Sequence, residues 1–545
     1  MKINFKIFLV LVLIYYPLSA ATYYLDPELG DDTNSGTSIG SSWRTLEKLN
    51  TIQFIPGDTI ALAAGKTFLG TLKLVNMKGS NDAPIVITSF NPQLHRPIYN
   101  AIIDAKGMES GVYLENVSHI LLENITIHAN AGATETSENS VYKMRCGVLY
   151  TNTENGDFEN ITLNNLIISD IFYEKKGFKR PEKEVKTANG TQYYGWGIRF
   201  INNNKAARIK NITIKNTSVE NVSHTGIKFT GGSGTISDVR LIDNVVTKAG
   251  GPGLQFSGVK NAYIARNTVN GSGSWDDSRK WGRGSGMWTW NSSDFLIEKN
   301  TFLNANGPGD SAGIHIDFYC SDIVVQYNLS ANNAGGFCEI LGDNYNCSYR
   351  YNISINDGYR KKGENNAFQE GKIFWLSGYR GDRERNGPFN SYFYNNTIYV
   401  KKGNEPKIAI DHKAKGILIA NNIFYVEEKI KTVLGDQYKP ETNGENEINT
   451  VIFSNNLFLH KNSWPKSAPI QPDDYLVGDA KFVNKRGSSI TDFIPKNELL
   501  IKDRGRYIEK LPGDSKGLKV GLKVSHDILG NPIKGKPDIG AIELD

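Results

Sequence analysis

The chain has 545 residues, with 62 Lys and Arg against 57 Asp and Glu and 39% hydrophobic residues. That hydrophobic fraction is enough to build a core and excludes global disorder, while a net charge of +5 with no basic block gives nucleic-acid binding no support. Gly (54) and Asn (56) are both poor helix formers, and at this abundance they exclude a mainly helical protein and favour many short strands joined by turns.

Residues 1–21 read as a secretory signal peptide, with Lys2 and Lys6, an apolar run from Phe8 to Tyr16, and the small residues Ser19-Ala20-Ala21 for cleavage after Ala21. No later stretch of about 18 apolar residues follows, so the mature chain is expected to be secreted or periplasmic, without a membrane span. Residues 22–54 are expected to form an N-terminal strand and a helical cap. Trp43, Leu46 and Leu49 fall on one helical face there and would cover an open sheet end. Four cysteines, Cys146, Cys320, Cys338 and Cys347, do not make a disulfide scaffold. Cys338 reads as a small buried apolar residue, and a Cys320–Cys347 bond stays open.

Residues 55–480 carry an internal repeat in which an Asn precedes alternating apolar residues. Examples are Asn211-Ile-Thr-Ile, Asn244-Val-Val, Asn267-Thr-Val, Asn300-Thr-Phe, Asn328-Leu-Ser, Asn352-Ile-Ser, Asn396-Thr-Ile, Asn422-Ile-Phe and Asn456-Leu-Phe. From Asn244 the spacings are 23, 33, 28, 24, 44, 26 and 34. The shorter ones are single coils, the longer ones a coil plus a loop, and 44 has room for two coils. This period, with several short strands per repeat, predicts an all-β fold: a single-stranded right-handed parallel β-helix, a solenoid with a helical cap at its N-terminal end. Like residues then stack at about 4.8 Å per coil. An inward Asn ladder satisfies its own amides, which explains one polar residue per repeat. Residues 481–545 lack the repeat and are expected to pack back as an irregular C-terminal cap.

Tyr23-Tyr24-Leu25-Asp26-Pro27, then Gly30-Asp31-Asp32-Thr33-Asn34-Ser35-Gly36-Thr37 and Trp43-Arg44-Thr45-Leu46, resemble the opening of exported bacterial β-helix proteins of the pectin-lyase-like superfamily. Pro56-Gly57-Asp58-Thr59-Ile60 continues the pattern. So does the ending Ile528-Leu529-Gly530-Asn531-Pro532 with Pro537-Asp538-Ile539-Gly540-Ala541-Ile542-Glu543. The resemblance implies the fold and a carbohydrate-active protein; the superfamily holds lyases, hydrolases, epimerases and adhesins, so it does not name the reaction.

Aligning the Gly-led strands gives two inward columns: Ile198, Ile227, Leu254, Met287, Ile314, Cys338, and Phe200, Phe229, Phe256, Thr289, Ile316, Ile340. Between them runs an outward column, Arg199, Lys228, Gln255, Trp288, His315, Glu339, with Thr230, Ser257, Trp290, Asp317 and Leu341 beside it. This face is expected to be an exposed glycan groove, with Trp288, Trp290, Trp275, Trp281 and Gln255 as substrate contacts and the insertion Gly271 to Gly286 as a wall. Asp317 and Glu339 are the candidate catalytic pair. They stand one coil and two residues apart, which puts their Cβ atoms about 8 Å apart and covers both retaining and inverting glycosidases. Asp310 and Asp322 read as turn residues. The Asp-then-Glu spacing, with Gln326-Tyr327-Asn328 and Asn332-Asn333-Ala334-Gly335-Gly336, is locally similar to β-helix glycosidases of the family 120 β-xylosidase kind.

A glycoside hydrolase acting on a poly- or oligosaccharide is therefore the leading expectation. The rivals are a polysaccharide lyase using Arg199, Lys228 and His315 on a uronate glycan, and a glycan binder without catalysis. No cofactor is expected, a structural Ca²⁺ aside, since Asp276-Asp277 is one acidic pair and no ligand cluster is evident. The expected partner is the saccharide alone, and the expected state is a monomer.

Overall fold

The computed structural model describes residues 19–91, 99–130, 144–173, 178, 194–274, 283–433, 451–468 and 470–544. The signal segment up to residue 18, Trp275, Trp281 and the pair Asp276-Asp277 lie outside them.

The chain winds into a right-handed parallel β-helix. A typical coil has three strands, as in Leu254–Ser257, Val259–Ala265 and Thr268–Asn270. Each pairs in parallel with its counterpart one coil on, Met287–Trp290, Ser293–Glu298 and Thr301–Leu303. The first strands of successive coils make a 12-stranded sheet, and the other two join a 27-stranded one among the described residues.

Local chemistry fixes the corners. The residue before each ladder Asn is left-handed, from Asp243 (φ 58°) and Arg266 (56°) to Asn421 (58°) and Asn455 (57°). The Asn that follows turns inward. Its backbone N–H and amide N–H donate to the side-chain oxygen of the next Asn, as Asn300 does to Asn328 at 2.9 and 3.0 Å and Asn328 to Asn352 at 2.9 and 3.0 Å. Each amide also donates to a carbonyl of the preceding coil, Asn328 to Ile297 at 2.9 Å. The ladder runs from Asn244 to Asn456. Asn211 is not in it: that residue is exposed and itself left-handed, and Thr217 precedes Asn244 instead. The 44-residue step from Asn352 to Asn396 is one coil, because the two side chains bond directly at 2.9 Å. Its extra length lies in the loops flanking the strand Lys372–Leu376.

The inward columns are buried, and Phe200, Phe229 and Phe256 stack with centroids 5.1 and 5.3 Å apart. Glycine leads these strands because nothing larger fits: a Cβ on Gly286 would stand 2.6 Å from the Gly313 carbonyl oxygen. The short helix Leu46–Leu49, capped by Thr45, buries Leu46 and Leu49 with Trp43 against the first coils. Residues 480–544 run along the flank, where Phe482, Phe493, Ile539 and Ile542 pack on Ile353, Tyr399 and Tyr425. All four cysteines are free thiols and buried, so Cys320 and Cys347 are not bonded to each other; the Cys320 thiol lies 3.6 Å from the Thr289 hydroxyl. No helix among the described residues is long and apolar enough to cross a membrane.

Candidate active site

The outward column holds its register: Arg199, Lys228, Gln255, Trp288 and His315 pair rung by rung along the 12-stranded sheet. Glu339 follows on the next strand, opposite Trp375. The column is not an open face. Arg199, Gln255, Trp288, His315, Asp317 and Glu339 are all buried, Glu339 to 2% exposure, while Lys228, Thr230, Ser257 and Trp290 are half-buried. Alternation along a strand assigns a residue to a face and does not encode how far that face is buried.

Asp317, just beyond the strand Ile314–Ile316, has both oxygens engaged. Oδ1 accepts from the Phe318 backbone N–H at 2.8 Å, and Oδ2 accepts from Trp288 Nε1 at 2.8 Å. Trp288 is thus a holder of Asp317 rather than an open sugar platform, and its ring stacks on His315 at 5.7 Å with 9° between planes. His315 Nε2 stands 3.2 Å from Glu339 Oε1 and 4.0 Å from Asp317 Oδ1. Those contacts put Glu339 Oε1 and Asp317 Oδ1 no more than about 7 Å apart, which is compatible with either stereochemical course.

Burial sets the protonation states. It pushes Asp317 up to about 7, against the pull of the Phe318 and Trp288 bonds. Burial, with the charge of Asp310, raises Glu339 well above the usual carboxylate range. Burial also lowers His315 to about 4, so the imidazole is neutral at neutral pH and does not tune Glu339 by charge.

Asp310 is not a plain turn residue. It is 2% exposed, lies 3.3 Å from the Arg283 guanidinium, and its backbone N–H donates to Gln369. Burial opposes its ionisation, but Arg283 and its other partners outweigh that and hold it ionised. Arg360 clamps the same turn by donating to the carbonyls of Gly307 and Asp310, both at 2.9 Å. In the sequence the signal was slight: an Asp in Gly-Pro-Gly-Asp whose partners lie tens of residues away. Asp322 is 8% exposed and pairs with Lys516 of the flanking segment.

The remaining candidates are spread out. Arg199 stands four rungs from His315, stacked 4.1 Å over Trp196, and Lys228 three rungs away. Gln255 accepts from the Thr225 hydroxyl at 3.3 Å. Trp290 meets Phe318 edge-on at 6.1 Å. No group of three His, Cys, Asp or Glu among the described residues could hold a metal ion.

A family model described as a right handed beta helix region matches residues 196–354. The chain is 26% identical to a lacto-N-biosidase of Bifidobacterium longum subsp. longum over 97% of its own length, and spans 36% of that longer protein. Among solved structures, a GH136 lacto-N-biosidase from Eubacterium ramulus superposes with a TM-score of 0.54 at 18% identity, covering 77% of this chain and 67% of that one. XylC in complex with xylose gives 0.52 at 12% identity, covering 96% and 98%. At these identities the structural likeness bears on the fold, the parallel β-helix derived above.

Proposed function

We propose that the chain is a glycoside hydrolase acting on a poly- or oligosaccharide along the outer face of the 12-stranded sheet, with Asp317 as the nucleophile or base and Glu339 as the acid. The observation that carries this reading is the difference between the two carboxyl groups beside His315. Both Asp317 oxygens accept N–H bonds, which suits the ionised form. Glu339 is the more strongly protonated, which suits a proton donor to the leaving oxygen. The similarity to a lacto-N-biosidase supports hydrolysis and makes a lacto-N-bioside the first substrate to try. Export by the leader at residues 1–21, and action as a monomer, complete the proposal.

One observation favours a second pairing. Asp310 is the ionised carboxylate of the three, so Asp310 as base or nucleophile with Asp317 as acid also supplies one group of each kind. Incubation with an aryl lacto-N-bioside and a panel of polysaccharides tests the reaction class. New reducing ends without the ultraviolet absorbance of an unsaturated uronate support hydrolysis; that absorbance would replace it with elimination.

A further inference from the structure

Lys228 is a cation on the floor of the same face, and among the described residues it has no counter-charge. It is half-buried on the strand Ile227–Gly231. Among the described residues no hydrogen bond or carboxylate contact reaches its ammonium. Its neighbour one rung back along the stack, Arg199, is also a cation, with its guanidinium stacked on Trp196. Burial, together with repulsion from the Arg199 charge, lowers the Lys228 ammonium to about 7. On the other side stands Gln255, which is neutral. Two residues on, facing the same way, the Thr230 hydroxyl is buried without a hydrogen-bond partner. Keeping an unpaired ammonium in such a place costs stability, and a polar site with unspent donors serves a ligand better than it serves the fold.

We propose that Lys228 and Thr230 form a subsite for an anionic substituent, a carboxylate or sulfate, on a sugar of the bound glycan. Lys228 lies three rungs, about 14 Å, from His315. The anion is therefore carried a few sugar units from the bond that is cut, and it selects the substrate without taking part in bond cleavage. The proposal rests on the hydrolase reading for the course of the glycan along the sheet. Its chemistry differs from elimination, in which the cation would sit at the reacting sugar.

The test is a glycan array of matched neutral and acidic oligosaccharides, probed with the full Asp317→Asn chain and with the same chain carrying Lys228→Met or Lys228→Arg. The acidic members should bind better than their neutral partners. Lys228→Met should abolish that preference, weakening acidic ligands by about tenfold or more and leaving neutral ones unchanged, while Lys228→Arg keeps it. Equal binding of neutral and acidic partners, an acidic preference that survives Lys228→Met, or no binding of any acidic member would overturn the subsite. Incubating the bound glycans with the unsubstituted chain separates the two readings. An anion preference that depends on Lys228, without release of reducing ends, leaves the subsite standing and removes the hydrolase.

Discussion

Asp317 sits at the balance point of its own environment, because burial raises it while two donated hydrogen bonds favour its charge. This gives pH dependence a sign. If Asp317 must be ionised and Glu339 protonated, kcat/KM rises with pH through the Asp317 value, about 7, and falls again only as Glu339 ionises above it. If Asp317 is the acid to an ionised Asp310, the limb at about 7 falls instead, and the optimum is acidic. A pH–rate profile reads the direction of that limb. Trp288→Phe removes the indole donor to Asp317 and should move the limb upward while lowering the rate by about tenfold, since a hydrogen bond to a charged group contributes about 1.5–3 kcal/mol. A limb that stays in place would mean the bond is idle. The sequence made Asp317, His315 and Glu339 legible because alternation along aligned strands needs no tertiary information. It concealed Asp310, whose ionised state depends on Arg283, and it concealed the burial of Trp288.

Among the elements, the Asn ladder was the most legible, since its geometry is local: a left-handed residue, then an inward amide, once per coil. Asn328→Leu strands the backbone and side-chain N–H groups of Asn300 and the carbonyl of Ile297, each of which bonds to the Asn328 amide. Each unpaired buried group costs about 1–3 kcal/mol, so Tm should fall clearly in a thermal melt; an unchanged Tm would contradict the ladder. Gly286→Ala should also destabilise, because its Cβ would press on the Gly313 backbone carbonyl, which cannot swing aside as a side chain can. Sequence spacing alone left the 44-residue step open, since a loop inside one coil and an extra coil both lengthen the interval. Only the direct Asn352–Asn396 bond distinguishes them.

At the scale of the molecule, coils stacked in register turn a one-dimensional repeat into a long face on which residues tens of positions apart become neighbours. Solenoid geometry places Trp288, His315 and Glu339 on consecutive rungs, and the loops at residues 307–311 and 360–369, bonded to each other, bring the ionised Asp310 within electrostatic reach of His315 and Glu339. The most direct measurement is the turnover of an aryl lacto-N-bioside, or of whichever glycan yields reducing ends, by the unsubstituted chain, Asp317→Asn, Glu339→Gln and Asp310→Asn, with Tm measured alongside. Asp317→Asn and Glu339→Gln are each expected to lose about 10²–10⁴-fold in kcat, with Tm little changed for Glu339→Gln and modestly lower for Asp317→Asn, whose amide leaves one of the Phe318 and Trp288 N–H donors without an acceptor. Full activity in Asp317→Asn, with its fold intact, would contradict the account.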